Sequence, residues 1–158
     1  MPSVYIESTI PSFYFETRTA RIVQTWRDFT RQWWDNHRHN YRLVTSRFVL
    51  RELSETPSPK SKHCLDLLKE AEILDEPPGL RKVIQYYMAN MVMPKDAMGD
   101  AAHLAMASMH ELDFLVTWNC RHLANANKAR HISTVNARLK LTSPVITTPV
   151  MLLPEAEH

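Results

Sequence analysis

The sequence predicts a three-layer α/β/α sandwich with a central parallel sheet of four to five strands. Three observations predict it. Short runs rich in β-branched and aromatic residues recur at 3–7, 41–45, 113–117 and 144–150. Segments with helical apolar spacing separate them, and strands alternating with helices form parallel crossovers rather than hairpins. Only two glycines are present, Gly79 and Gly99, too few for the tight turns of an all-β fold. The length of 158 residues fits one domain spanning 1–158 with a substantial core.

The first strand, SVYIE, brings the chain directly to Glu7. Ser8 and Thr9 then offer capping hydroxyls for a helical turn that admits Pro11 near its start. Residues 20–38 form an amphipathic helix. Ile22, Trp26, Phe29 and Trp33 recur on one face, with Arg21, Arg27, Asp28 and Arg31 among the exposed positions. This aromatic stripe reads as core packing in preference to a base-stacking surface. YRLVT (41–45) is the second strand. Ser46 stands at the N-cap of a helix over RFVLRELSE, which ends before Pro57. Residues 60–73 read as one helix with Cys64, Leu67, Leu68 and Ala71 on its apolar side. ILDEP fits a short strand or an extended connection. PPGL opens a helix running to about Met91, and Pro94 stops it. Asp96 is placed to cap a helix over 97–110, and DFLVT (113–117) is a compact buried strand. Residues 120–128 read as helical, and 129–140 as a second helical piece or a partly irregular one. PVITTPV is the last strand, its prolines pointing to a sheet edge.

Composition excludes several function classes. Hydrophobic content of 44% and charged content of 23% are those of an ordinary globular protein, and a net charge of +2 does not advertise nucleic-acid binding. No apolar run approaches the roughly 20 residues that span a bilayer. MPSVYIESTI has no basic region and no long apolar stretch, so it does not read as a signal peptide. Cys64 and Cys120 are isolated and read as reduced thiols of a cytoplasmic protein. Two glycines cannot build a dinucleotide fingerprint or a phosphate-binding Walker loop. There is no GxSxG elbow and no recognisable Cys/His pairing for nucleophilic catalysis.

What remains is carboxylate chemistry. Ligands of parallel α/β sheets bind beyond the carboxyl ends of the strands, where the strand order reverses. Glu7 and Asn119 both lie at such ends, and they are neighbours if strands 3–7 and 113–117 are adjacent. Asp100 follows Gly99 in a helix whose Ala101, Ala102, Leu104 and Ala105 are small or apolar. Such a helix lies close to a sheet and carries Asp100 towards the strand ends. Compensation of the helix dipole suits Asp96 better than Asp100. Glu52 and Glu55, three apart on one helix, face the same way, and either can enter a site. Carboxylates gathered together repel one another, and a hard cation relieves the repulsion. Oxygen ligands select Mg²⁺ or Mn²⁺ over zinc, and no HExxH pair exists. Asn119 adds an uncharged amide oxygen for ligation or for orienting a water. His110 reads as a surface or packing histidine. His103 and His122 read the same way, with contact to a phosphate left open for both.

The quoted segments resemble PIN-domain proteins, in particular the VapC-like toxins of prokaryotic type II toxin–antitoxin modules. The resemblance covers nearly the whole chain. VYIEST looks like the family's first-strand motif, with Glu7 where aspartate is usual. TSRFVLREL looks like the segment of the second acid, which falls on Glu52 rather than Glu55. GDAAHLAMA looks like the third motif, with Asp100 as its acid. LVTWN looks like the fourth, with Thr117 and with Asn119 in place of an acid. The resemblance implies a metal-dependent ribonuclease that leaves a 5′ phosphate and a 3′ hydroxyl. Glu7, Glu52 and Asp100 would hold Mg²⁺ or Mn²⁺. Thr117 and Asn119 would orient water or phosphate, and Lys95, Arg121 and His122 would contact RNA. It also implies a cognate antitoxin as partner and a homodimer. The alternative is a catalytically silent PIN-like module that binds RNA or protein, and Asn119 is the residue that carries it.

Overall fold

The computed structural model describes residues 1–157. In chain order the regular elements are β1 (Ser3–Ile6), α1 (Thr9–Tyr14), α2 (Arg21–His37), β2 (Arg42–Thr45), α3 (Arg47–Ser54), α4 (Pro59–Leu67), β3 (Glu72–Ile73), α5 (Leu80–Ala89), α6 (Met98–Met109), β4 (Phe114–Val116), α7 (Ala126–Arg138) and β5 (Val145–Thr147). The five strands form one sheet in the order β3-β2-β1-β4-β5, and every pairing is parallel. Helices cover it in the α/β/α arrangement. In β1, Val4, Tyr5 and Ile6 are all fully buried although their side chains alternate between faces, so both faces are packed.

The strand order decides where a site can form. From β1 the chain adds β2 and β3 on one side, then β4 and β5 on the other. The reversal falls between β1 and β4, which pair as Val4 with Phe114, Tyr5 with Leu115 and Ile6 with Val116. Strands 3–7 and 113–117 are therefore adjacent, which is the condition under which Glu7 and Asn119 become neighbours. β5 is an edge strand flanked by Pro144 and Pro149, as its prolines suggest.

Several local expectations are corrected. The helix expected over 60–73 stops at Leu67. A 3-10 turn covers Leu68–Glu70, Ala71 turns extended (φ −98°, ψ 143°), and Glu72–Ile73 pair with Val44–Thr45 as an edge strand. Residues 120–128 are not one helix. Turns occupy 120–123, and α7 starts at Ala126 because the Asn125 side chain caps it by accepting from the Asn127 N–H. Asp96 does not cap α6: Ala97 occupies the N-cap and makes no side-chain bond. Ile22 is 63% exposed, outside the stripe that buries Trp33. The rest of that stripe is core, with Trp26 stacked on Trp118 at 4.7 Å between ring centroids.

The connection after α1 is held by one buried carboxylate. Glu16 accepts from the backbone N–H groups of Thr17 (3.2 Å) and Arg18 (3.0 Å), and from the Arg18 guanidinium through Nε (2.8 Å) and Nη2 (2.9 Å). The Arg18 hydrogen bond draws its pKa down from 4.5 to about 2. A folded-state value below the unfolded one contributes stability that is complete above pH 4.5 and is lost as pH falls through 2. Glu16→Gln is expected to lower unfolding free energy by roughly 1–2 kcal/mol at neutral pH. In urea melts across the acid range, its gap to wild type should close as pH approaches 2.

Candidate metal centre

The site is assembled from a strand and two helices whose repeats match. Along β1, Tyr5 and Glu7 point to the same face, one pleat apart. Along α6, Asp100 and His103 lie three residues apart on one stripe. α6 packs against this face so that His103 meets Tyr5 and Asp100 lies in the field of Glu7. α3 brings Glu52 to the same place. One ligand atom each from Glu7, Glu52 and His103 lie within 4.8 Å of one another. Gly99 lies beside Glu52: a Cβ at this position would sit 3.7 Å from Glu52 Oε2, an ordinary contact distance.

Glu7 is 2% exposed and held by four donors, three on Oε1 and one on Oε2. Its Oε1 accepts from the Thr117 hydroxyl (2.6 Å), the Thr9 hydroxyl and the Thr9 N–H (3.1 Å), while Oε2 accepts from Ser8 (2.9 Å). The hydroxyls expected to cap α1 are thus spent on Glu7, and Ser8 makes no cap bond. Thr117 is fully buried. Its oxygen also accepts from the Asn119 N–H (2.9 Å), so it supports Glu7 from within the fold.

Asp100 is half-buried at the start of α6. Burial, then the Glu7 charge, raise its carboxyl above the usual aspartate range, against the opposing influence of His103, the Asn119 amide and His122. Asn119 uses its Oδ1 to accept from the His122 N–H (3.0 Å), and its carbonyl accepts from the Leu123 and Ala124 N–H groups. That oxygen belongs to the turn after β4, and the amide nitrogen is the group that serves Asp100.

His103 is fully buried and uses both ring nitrogens. Nε2 bonds Glu52, and Nδ1 bonds the Tyr5 hydroxyl at 2.7 Å. Burial pushes its pKa down, but the Glu52 hydrogen bond and the charges of Glu52, Glu7 and Asp100 outweigh it, and the net shift is upward. The histidine discounted from sequence is therefore inside the cluster. Its signal was the three-residue spacing from Asp100. Lys128 was missed altogether. Its Nζ donates to the His122 carbonyl (2.8 Å) and the Met93 sulfur (3.2 Å), and burial lowers its pKa while the Asp100 charge resists the change.

Of the remaining expected residues, Lys95 and Arg121 are exposed, while His122 is half-exposed and close enough to act on Asp100. Glu55 is exposed beyond the end of α3, which leaves Glu52 as the acid that enters the site. A groove of about 800 Å³ lies beside α5, lined in part by Phe48, Arg51, Leu80, Ile84 and Met88; it contains none of the clustered acids. The cluster is defined by its converging ligand atoms rather than by a deep cavity.

No protein-family model, curated protein or solved structure matches the chain. Among the described residues no helix is long and apolar enough to cross a membrane.

Proposed function

We propose that this protein is a metal-dependent endoribonuclease of PIN type, acting as the toxin of a toxin–antitoxin pair. The observation that carries the reading is the convergence of Glu7, Glu52 and His103 ligand atoms within 4.8 Å, beside Asp100, at the carboxyl-end switch point between β1 and β4. The donor set fits a hard divalent cation. Three carboxylates offer oxygen, and the one histidine has both nitrogens engaged, Nε2 by Glu52 within the cluster and Nδ1 by Tyr5. Glu7 and Glu52 would hold Mg²⁺ or Mn²⁺, with Asp100 reaching it from outside the 4.8 Å group. Such an ion, when bound, acidifies a water and offsets negative charge on a phosphodiester.

The chain's own groups do the rest. Thr9 and Thr117 fix the rotamer of Glu7, and the Asn119 amide orients Asp100. Lys128, with Lys95 and Arg121 further out, attracts the phosphate backbone. In the net reaction, the oxygen of water bonds to phosphorus, the bond from phosphorus to the 3′ oxygen breaks, and that oxygen takes up a proton. The products are a 5′ phosphate and a 3′ hydroxyl. A cognate antitoxin that covers the site and a homodimer belong to the same reading. The silent binding module is the second reading, favoured by the engagement of Asn119 in its turn.

RNA cleavage by purified wild type, Asp100→Ala and Glu7→Ala, with Mn²⁺ and with EDTA, decides between them. The nuclease reading expects cleavage by wild type alone, abolished by EDTA. Equal, chelator-insensitive cleavage by all three proteins contradicts it, and RNA binding without cleavage supports the silent module.

A further inference from the structure

A buried hydrogen-bonded chain runs behind the carboxylates and joins separate elements. It starts at Ser46, between β2 and α3, passes to Tyr5 on β1 (2.6 Å between hydroxyl oxygens), then to His103 Nδ1 on α6 (2.7 Å), and ends at Glu52 on α3. Ser46, Tyr5 and His103 are all fully buried. The chain links the three elements that carry Glu7, Glu52 and Asp100.

One direction is set by chemistry. A carboxylate only accepts, so His103 Nε2–H donates to Glu52. His103 Nδ1 and the Tyr5 hydroxyl share the next hydrogen bond, and the Tyr5 and Ser46 hydroxyls share the one after it. Ser46 gives up a helix cap to do this: it sits at the N-cap of α3 with extended backbone (φ −142°, ψ 168°), yet its hydroxyl makes no cap bond. Glu52 itself is only partly buried, with its side chain 36% exposed, and a glutamate on that footing has several rotamers. With both nitrogens occupied, His103 reaches an ion only by giving up Glu52.

We propose that Ser46, Tyr5 and His103 form a positioning relay that fixes the Glu52 carboxylate in the orientation in which it binds a divalent cation. His103 acts through Glu52 and does not ligate the ion. The inference rests on the metal reading above. Groups that orient a ligand in this way are typically worth 10- to 100-fold in metal affinity.

Calorimetric titration of the full chain with Mn²⁺, beside thermal melts, tests it. His103→Leu is expected to weaken Mn²⁺ binding by about tenfold. His103→Gln, whose amide keeps a donor for Glu52, is expected to recover most of that loss. Tyr5→Phe, which is nearly isosteric and remains available if His103→Leu does not fold, is expected to weaken binding by about threefold or more. A folded Tyr5→Phe that binds as wild type does, with only its melting temperature lowered, overturns the relay. His103→Gln binding as poorly as His103→Leu also overturns it, because the imidazole is then itself a ligand. Absence of Mn²⁺ binding by wild type is a different failure, which removes the metal reading first.

Discussion

Glu7→Gln is expected to lower Mn²⁺-dependent RNA cleavage by at least about a hundredfold, close to 3 kcal/mol of transition-state stabilisation, with the fold intact. The substitution keeps the length and shape of the side chain. Its amide oxygen still accepts from Thr9 and Thr117, and the Ser8 hydroxyl can turn to accept from the new amide nitrogen, so the buried network survives. One negative charge leaves a cluster whose function depends on charge. Asp100 reports the same loss from its side: with the Glu7 charge gone, one of the two influences that raise its carboxyl disappears. Cleavage rates with saturating Mn²⁺, alongside far-ultraviolet circular dichroism, check the result. Wild-type cleavage by folded Glu7→Gln would remove Glu7 from the site.

Trp33→Ala is expected to cost about 3–5 kcal/mol of unfolding free energy, a large share of the 5–15 kcal/mol typical of a domain. Trp33 is fully buried on α2, with ring centroids 6.2 Å from Trp34 and 5.6 Å from Tyr41. The polar atom adds a second, sharper expectation. Trp33 Nε1 has no hydrogen-bond partner among the described residues, whereas Trp118 Nε1 donates to Thr30 at 2.7 Å. Removing an unpaired buried N–H recovers its desolvation cost, and removing a paired one leaves an acceptor short. Urea denaturation should therefore find Trp33→Phe less costly than Trp118→Phe, and the reverse order would contradict this account of the core.

The sequence showed most of what positions the site and less of what holds it. The approach of β1 to Glu7 was legible because SVYIE is a short β-branched and aromatic run that ends on a charge. The partnership of β1 and β4 was only a condition there: Glu7 and Asn119 end their strands, but which strands pair is decided by the packing of the whole sheet. β3 was not legible in its true position. Its two residues are exposed and become a strand only by pairing with Val44 and Thr45, some thirty positions earlier, while Cys64, Leu67, Leu68 and Ala71 keep helical spacing regardless. The turn at 120–123 is hidden in the sequence because its neighbours are good helix formers. The asparagines at 119 and 125 were the signal, since each takes backbone N–H groups that a continuous helix would have used. In sequence Tyr5 is one residue of a strand and His103 a surface or packing histidine, and only the packing of α6 on β1 makes them partners.

The central claim is that the carboxylates of Glu7, Glu52 and Asp100 share one divalent cation. Anomalous diffraction from a crystal of the protein soaked in Mn²⁺, recorded at the manganese edge, tests this most directly. The account predicts a single strong peak coordinated by oxygens of these three side chains, with His103 Nε2 still bonded to Glu52. No peak among the three carboxylates, with Mn²⁺ bound elsewhere or not at all, would contradict it.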